Sequence, residues 1–242
     1  MSIIQEEKKR IPVVTRKLFD EVYSMCRERF NPKWESLPKE GLTAEGYIEE
    51  IFKMTNEIII NIDEDCFITD HNLVEELAQY MINNGYDYCG MSDGGVLPIR
   101  QANPIVMNPF FNIFLGKKIS DIYKLNKFSY FKKTITTQKA RNIWEEYKDN
   151  VPLVSGVGYD PMDIRQEYYY PHFFWLISSG LKPLYLKAVD WDGDTSRNSR
   201  PTILLDHKGR ELCIHSWFSR YWENEEDVKI RIKKCYDYCK NK

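Results

Sequence analysis

The sequence predicts an α/β protein built on a mixed, mostly parallel sheet flanked by helices. Between residues 11 and 91, short β-branched runs alternate with segments whose apolar residues recur at helical spacing. This order is typical of a sheet covered by helices. Residues 57–65 (EIIINIDED) contain a continuous apolar run, which predicts a central strand buried on both faces. The 242 residues are 43% hydrophobic and 29% charged, an ordinary globular composition.

The first half of the chain contains the clearest elements. Residues 11–15 (IPVVT) predict a buried strand, and the helix after it has an apolar stripe made of Leu18, Phe19, Val22, Tyr23 and Cys26. Residues 31–41 are rich in turn formers. Thr43 is placed to cap a helix with the inward stripe Tyr47, Ile48, Ile51 and Phe52. Asp70 can cap a further helix, which Gly85 ends.

The second half is patterned less clearly. A strand is expected at 86–91, and residues 116–150 predict a loop followed by one helix. Pro171 suits the first turn of a helix, which is predicted to run to Gly180. Residues 203–205 and 211–214 predict the two strands of a hairpin. A charged C-terminal helix is predicted within 223–242.

Charge and apolar runs exclude several classes of protein. The net charge of -2 gives no general attraction for nucleic acid. No apolar run reaches the roughly 18–20 residues that cross a bilayer, and the charged N-terminus lacks a secretory core. These features predict a cytoplasmic protein. The six cysteines form no Cys-x-x-Cys pair and are expected to be reduced and mostly buried.

The end of the central strand carries three acids, Asp63, Glu64 and Asp65. Ligands of open α/β sheets gather at the carboxyl ends of strands. Because side chains alternate along a strand, Asp63 and Asp65 are expected to point the same way and Glu64 the other. Two close carboxylates repel unless a cation lies between them. The pair therefore predicts a Mg²⁺ or Mn²⁺ site. Repulsion also predicts that Asp65→Ala slightly raises the melting temperature of the metal-free protein.

This strand end resembles the Asp-x-Asp motif of GT-A glycosyltransferases, in which the motif binds the metal that holds the donor diphosphate. The resemblance implies that Asp65 binds Mn²⁺ or Mg²⁺ directly, with Asp63 assisting it or holding the ribose. GT-A enzymes often supply a late histidine as a further ligand, and His215 fits that role. The alternative for His215 is a packed position at the hairpin edge.

The same resemblance implies a donor site around the metal. Ser219 and Arg220 follow the histidine within reach of the diphosphate, for which a guanidinium is well suited. The glycine pair 94–95 corresponds to a loop that borders the donor sugar, although a plain turn is the alternative. The expected donor contacts are Thr15, Arg16, Asp63, Glu64, Gly94, Gly95, Ser219 and Arg220.

A carboxylate before the helix at 168–180 is the expected catalytic base. Inverting GT-A enzymes place an acid at the start of such a helix to remove the proton of the acceptor hydroxyl. Glu167 fits best by position, and Asp163 and Asp160 are its rivals. The alternative is that these acids only cap the helix.

The chain also departs from the GT-A pattern. Only 62 residues precede Asp63, so the N-terminal half is abbreviated, and Arg16 and Lys17 stand in place of the usual continuation of the first strand. We expect a single GT-A-like domain over 1–242, with a nucleotide- and metal-binding half at 1–100, an acceptor-binding half at 101–222 and the C-terminal helix at 223–242.

The resemblance implies transfer of a sugar, with inversion, from a nucleotide-sugar of the nucleoside diphosphate type to a hydroxyl of a glycan or glycolipid in polysaccharide biosynthesis. A segment of interleaved lysines and aromatic residues at 117–133 predicts peripheral contact with the inner face of a membrane, or else a solvated loop. The rival functions are a nucleotidyltransferase, against which the missing Gly-rich phosphate loop counts, and a non-catalytic carbohydrate-binding protein on the same fold.

Overall fold

A six-stranded sheet forms the centre of the protein. The computed structural model describes residues 10–97, 101–193 and 200–242, so the charged N-terminus lies outside the described part. The strands are β1 (Pro12–Arg16), β2 (Glu35–Lys39), β3 (Ile59–Ile62), β5 (Tyr88–Gly90), β7 (Phe111–Phe114) and β9 (Pro183–Tyr185). Their order is β2-β1-β3-β7-β5-β9. Only β7 runs antiparallel to its neighbours in this sheet, which confirms a mixed, mostly parallel sheet.

A second, antiparallel sheet meets the first at the acidic strand end. It contains β4 (Cys66–Ile68), β10 (Ala188–Asp190), β11 (Thr202–Leu205) and β12 (Glu211–His215), in the order β10-β11-β12-β4. The predicted hairpin, β11 and β12, is thereby confirmed. β12 pairs with β4 so that His215 lies opposite Cys66, the residue after Asp65. Two short strands, β6 (Gln101–Ala102) and β8 (Gly158–Tyr159), form a separate parallel pair.

Helices cover the central sheet on both faces. They are α1 (Asp20–Arg27), α2 (Ala44–Lys53), α3 (His71–Asn84), α4 (Gly116–Ile122), α5 (Leu125–Thr134), α6 (Thr137–Tyr147), α7 (Tyr170–Ser178) and α8 (Glu226–Lys240). Neighbouring strand residues belong to opposite cores, since Ile60 packs with α1, α3 and α8 while Ile59 packs with α2, α5 and α7. Within the described ranges, no helix is both long and apolar enough to cross a membrane.

The predicted caps are confirmed. Thr43 Oγ1 accepts the Gly46 N–H at 3.1 Å, and Asp70 Oδ1 accepts the Asn72 N–H at 2.8 Å. Gly85 ends α3 with φ 70°, in the left-handed region that glycine enters without steric cost. All six cysteines are buried and free, as expected.

Two predictions about irregular segments are wrong. Residues 35–39 are an edge strand rather than part of a turn, and Pro38 is tolerated there because an edge strand has one side without ladder partners. Residues 116–150 hold three helices rather than a loop and one helix. Each of these helices buries only a few apolar residues, among them Ile119, Phe128 and Ala140, so their periodicity is weak.

Replacing Thr43 with alanine tests the cap that begins α2. Loss of such a cap costs about 1 kcal/mol of stability, which lowers Tm by roughly 2–4 °C in a chain of this size. Thr43→Ser keeps the accepting oxygen and is the matched control, expected to melt close to the wild type. Equal melting of the two variants in calorimetry would show that the cap contributes nothing.

Candidate metal centre

Three side chains form a compact group of metal-ligand type. One ligand atom from each of Asp63, Asp65 and His215 lies within 4.8 Å of the other two. The two aspartates follow β3, and His215 ends β12, whose pairing with β4 brings it back to them. The imidazole is stacked on Phe110 at 4.3 Å between ring centroids and contacts Trp217 at 4.3 Å. The sequence expectation that these residues come together is met by the geometry.

Asp65 is buried and well provided with hydrogen-bonding partners. Its carboxylate lies 3.1 Å from His215 Nε2, and it accepts the Ser216 hydroxyl at 3.3 Å and the Ser219 N–H at 3.2 Å. Burial raises the pKa of this carboxyl, but His215 and the Ser219 N–H outweigh burial, and the net pKa is lowered. Asp65 is therefore ionised at neutral pH.

Asp63 has a different environment. Its Oδ2 lies 3.4 Å from the guanidinium of Arg16, a part-buried ion pair. Burial raises the pKa of Asp63, and the attraction of Arg16 only partly offsets it, while the charge of Asp65 raises it further. Asp63 in turn raises the pKa of Arg16. The pair of aspartates is thus more costly to ionise together than separately, which favours a cation between them.

Glu64 has different partners from the two aspartates. Residues 63–65 form a turn after β3 instead of continuing the strand, so strand alternation does not set the direction of this side chain. Its Oε2 accepts the N–H groups of Leu18 and Phe19 at 2.7 and 3.0 Å, at the start of α1. Its other carboxylate oxygen has no partner within the described residues. Burial raises the pKa of Glu64 to about 7. Glu64 therefore holds the loop between β1 and α1 and does not line the pocket described next.

A pocket of about 240 Å³ opens at the three ligands. It carries positive charge from Arg16 and Arg220 and a further carboxylate from Glu167. Its lining residues are Arg16, Leu18, Ala44, Asp63, Asp65, Asn108, Pro109, Glu167, Tyr169, His215, Trp217, Phe218, Ser219 and Arg220. Two guanidinium groups, three carboxylates and an imidazole therefore share one concave surface.

The loop after β12 is strained. Trp217 and Phe218 have φ of 67° and 66°, and they are the only non-glycine residues with positive φ in the described part of the chain. Such conformations cost about 1–3 kcal/mol each and persist only where the surroundings impose them. Buried Arg231 donates to the carbonyls of Ser216 and Trp217 at 2.9 and 3.0 Å. This bend returns the Ser219 N–H to Asp65.

Other predicted site residues lie outside the pocket lining. Thr15 is fully buried, and its hydroxyl has no hydrogen-bond partner among the described residues. Gly94 has φ 92° and lies against Ala102, and Gly95 has φ 58° with a Trp217 ring carbon 2.4 Å from where a Cβ would be. Asp163 accepts two backbone N–H groups, those of residues 165 and 166, within its own turn. Gly95 thus makes room for Trp217.

Sequence reasoning missed a buried network behind the pocket. Asp93 accepts the Asn108 side-chain amide at 2.6 Å, the Tyr169 hydroxyl at 3.0 Å and the Tyr170 hydroxyl at 2.6 Å. It thereby orients Asn108 and Tyr169, two lining residues. The dipeptide Asn108-Pro109 is a turn signal that could have drawn attention to this segment.

Comparison with known proteins finds a likeness in structure alone. No protein-family model matches the chain, and no curated protein matches it. Among solved structures it is similar to the mannosyltransferase PcManGT from Pyrobaculum calidifontis in complex with GDP-Man and Mn²⁺, with TM-score 0.37 and 8% sequence identity. The match covers 66% of this chain and 59% of that one. A likeness this distant assigns no activity, so the function has to follow from the side chains of the pocket.

The hydrogen bonds to Asp65 predict that Asp65→Ala destabilises the metal-free protein, contrary to the expectation from repulsion alone. Removing the carboxylate leaves buried donors without a partner, at a cost of about 1–3 kcal/mol. Urea unfolding in the presence of a chelator measures this. Asp121→Ala, which removes an exposed aspartate paired with Lys117, is the control and should change stability by less than about 1 kcal/mol. A gain in stability for Asp65→Ala would contradict the role given to these bonds.

Proposed function

We propose that the protein is a metal-dependent glycosyltransferase that moves a sugar, with inversion, from a nucleoside diphosphate sugar to a hydroxyl of a glycan or glycolipid. The observation that carries this proposal is the placement of Asp63, Asp65 and His215 in one pocket with two guanidinium groups. The division into a metal-binding half at 1–100 and an acceptor-binding half at 101–222 belongs to the same proposal.

The metal would be Mn²⁺ or Mg²⁺, held by Asp65, His215 and Asp63. Carboxylate oxygens and an imidazole suit these cations, which commonly bridge protein carboxylates to phosphates. His215 Nε2 lies 3.1 Å from Asp65 Oδ1, so one ion between the two atoms could bond both, with the nitrogen as a neutral imidazole ligand. When bound, the cation neutralises charge that develops on the leaving diphosphate.

The chain's own cations are placed to assist with the same diphosphate. Arg16 and Arg220 both line the pocket, and a guanidinium offers planar donors that match phosphate oxygens. Arg16 also forms an ion pair with Asp63, so the same guanidinium would contact both the acidic pair and the donor diphosphate. The N–H of Ser219 is used by Asp65, and its side chain also acts on Glu64, whose pKa it lowers. The proposed contact of Ser219 with the donor therefore rests on its place in the pocket lining.

Glu167 is the proposed base. It lines the same pocket as the metal ligands, whereas Asp160 and Asp163 accept backbone N–H groups in the turns that precede α7. A carboxylate facing the donor pocket can take the proton of an acceptor hydroxyl as the sugar is transferred. The segment of interleaved lysines and aromatic residues at 117–133, within α4 and α5, is the proposed point of contact with a membrane that carries a glycolipid acceptor.

Nucleotide binding should require the metal. Calorimetric titration with a panel of nucleoside diphosphates should show binding with Mn²⁺ and none with excess chelator, because the diphosphate is held mainly through the cation. His215→Ala should weaken Mn²⁺-supported binding, since it removes one of three protein ligands, whereas His71→Ala on α3 should not. Equal affinity with and without metal would exclude the proposed site. Turnover of nucleoside triphosphates with release of pyrophosphate would indicate a nucleotidyltransferase instead.

Glu167→Gln should separate binding from catalysis. Glutamine keeps the size of the side chain but cannot accept a proton at neutral pH, so transfer should fall by roughly 10²–10⁴. Donor affinity should stay near the wild-type value, because a base acts on the acceptor and not on the donor. Asp163→Asn is the matched control and should keep its transfer rate. If the control loses activity and Glu167→Gln keeps it, Glu167 is not the base.

A further inference from the structure

A second group of metal-ligand type lies between α2 and α7. Glu45 and Glu49 are one turn apart on α2 and therefore share a face of that helix. His172 lies on α7, and one ligand atom from each of the three residues lies within 4.8 Å of the other two. None of the three lines the pocket of the first group.

His172 is a buried side chain whose ring nitrogens make no hydrogen bond within the described residues. It is fully buried, and neither ring nitrogen has a hydrogen-bond partner in the part of the chain the structure describes. Nε2 and Glu49 Oε1 lie 3.8 Å apart, within reach of an ion pair but too far for a hydrogen bond. Phe52 and Phe128 pack against the imidazole at 5.7 and 4.4 Å between ring centroids. The buried Tyr123 hydroxyl in this cluster likewise has no partner within the described residues.

We infer that Glu45, Glu49 and His172 bind a divalent transition-metal ion, with Zn²⁺ as the best match. An ion placed among the three ligand atoms would bond the orphaned imidazole nitrogen and use both carboxylates. One nitrogen and two oxygens are ligands that Zn²⁺ accepts in sites with three protein ligands. Both glutamates are half-buried, so an ion can reach the site from solvent.

Lys132 on α5 sets the charge of this second site. It forms an ion pair with Glu45 through one carboxylate oxygen, which leaves the other oxygen for the metal. Two carboxylates against one ammonium leave a net negative charge, which attracts a divalent ion. Because Lys132 competes with the metal for Glu45, the lysine lowers the affinity of the site for the metal but does not take the place of the ion.

The second site would join the two helices that border the first pocket. Ala44, directly before Glu45, lines that pocket, and so does Tyr169, which precedes α7. A metal held by Glu45, Glu49 and His172 would fix the starts of α2 and α7 relative to each other. This inference does not depend on glycosyl transfer, because it rests on three residues outside the first pocket.

Zinc stoichiometry compared between two neighbouring glutamate variants tests the second site. Chelator-stripped protein is equilibrated with Zn²⁺ alone, and bound metal is measured by elemental analysis and calorimetry. Glu49→Gln should lose one tight equivalent, with affinity at that site at least about tenfold weaker, since even outer partners of a metal contribute about 10- to 100-fold. Glu50→Gln removes a half-buried glutamate of the same helix that is paired with Lys53 and lies outside the group of three, and it should match the wild type.

Two further variants complete the experiment. Lys132→Met should tighten Zn²⁺ binding severalfold, because it removes the competing charge. His172→Gln should lose the same equivalent as Glu49→Gln, with circular dichroism to verify folding. The same number of tight Zn²⁺ equivalents in Glu49→Gln and Glu50→Gln overturns the inference. This holds whether or not the first group, at Asp65, also binds Zn²⁺, because that group contributes equally to both variants.

Discussion

The site depends on keeping the carboxylates of Asp63 and Asp65 close together in a buried position. Desolvation and mutual repulsion both oppose this arrangement. A different partner stabilises the charge of each carboxylate. Arg16 pairs with Asp63, whereas His215 and the Ser219 N–H contact Asp65. In these different environments the pKa of Asp65 is lowered and the pKa of Asp63 is raised. A divalent cation would satisfy both at once, which is the basis of the proposed metal–diphosphate site.

The fold produces this arrangement by joining two sheets at one point. β3 ends in the acids, and β4 begins directly after them and pairs with β12, which places His215 opposite Cys66. The chain must then bend sharply to bring the Ser219 N–H back to Asp65, with positive φ at Trp217 and Phe218. The bend is held by buried Arg231. Strain in this loop is therefore a cost of the site, offset by packing elsewhere.

Local chemistry made much of the fold and the acidic site predictable. The caps at Thr43 and Asp70 and the unbroken apolar run of β3 follow from propensity and strand geometry. Asp63 and Asp65 lie in the turn after β3, so strand alternation does not account for their closeness. The edge strand β2 was not predictable because its proline is read as a turn former. The helices α4 and α5 were not predictable because each buries few apolar residues, which leaves little periodicity to detect. The network at Asp93 depends on residues that only tertiary packing brings together. Gly94 and Gly95 were expected to contact the donor, and the role the structure shows for Gly95 is to admit the ring of Trp217.

Electron–nuclear double resonance on bound Mn²⁺ tests the metal centre most directly. After addition of a nucleoside diphosphate, the Mn²⁺ held by Asp63, Asp65 and His215 should show hyperfine coupling to ³¹P, because the diphosphate oxygens coordinate the ion. Asp65→Asn should abolish the coupling, while Glu49→Gln should leave it unchanged, since Glu49 lies outside the pocket. The absence of ³¹P coupling in the wild-type protein, with nucleotide shown to be bound, would contradict the assignment of the cluster as a metal–diphosphate site.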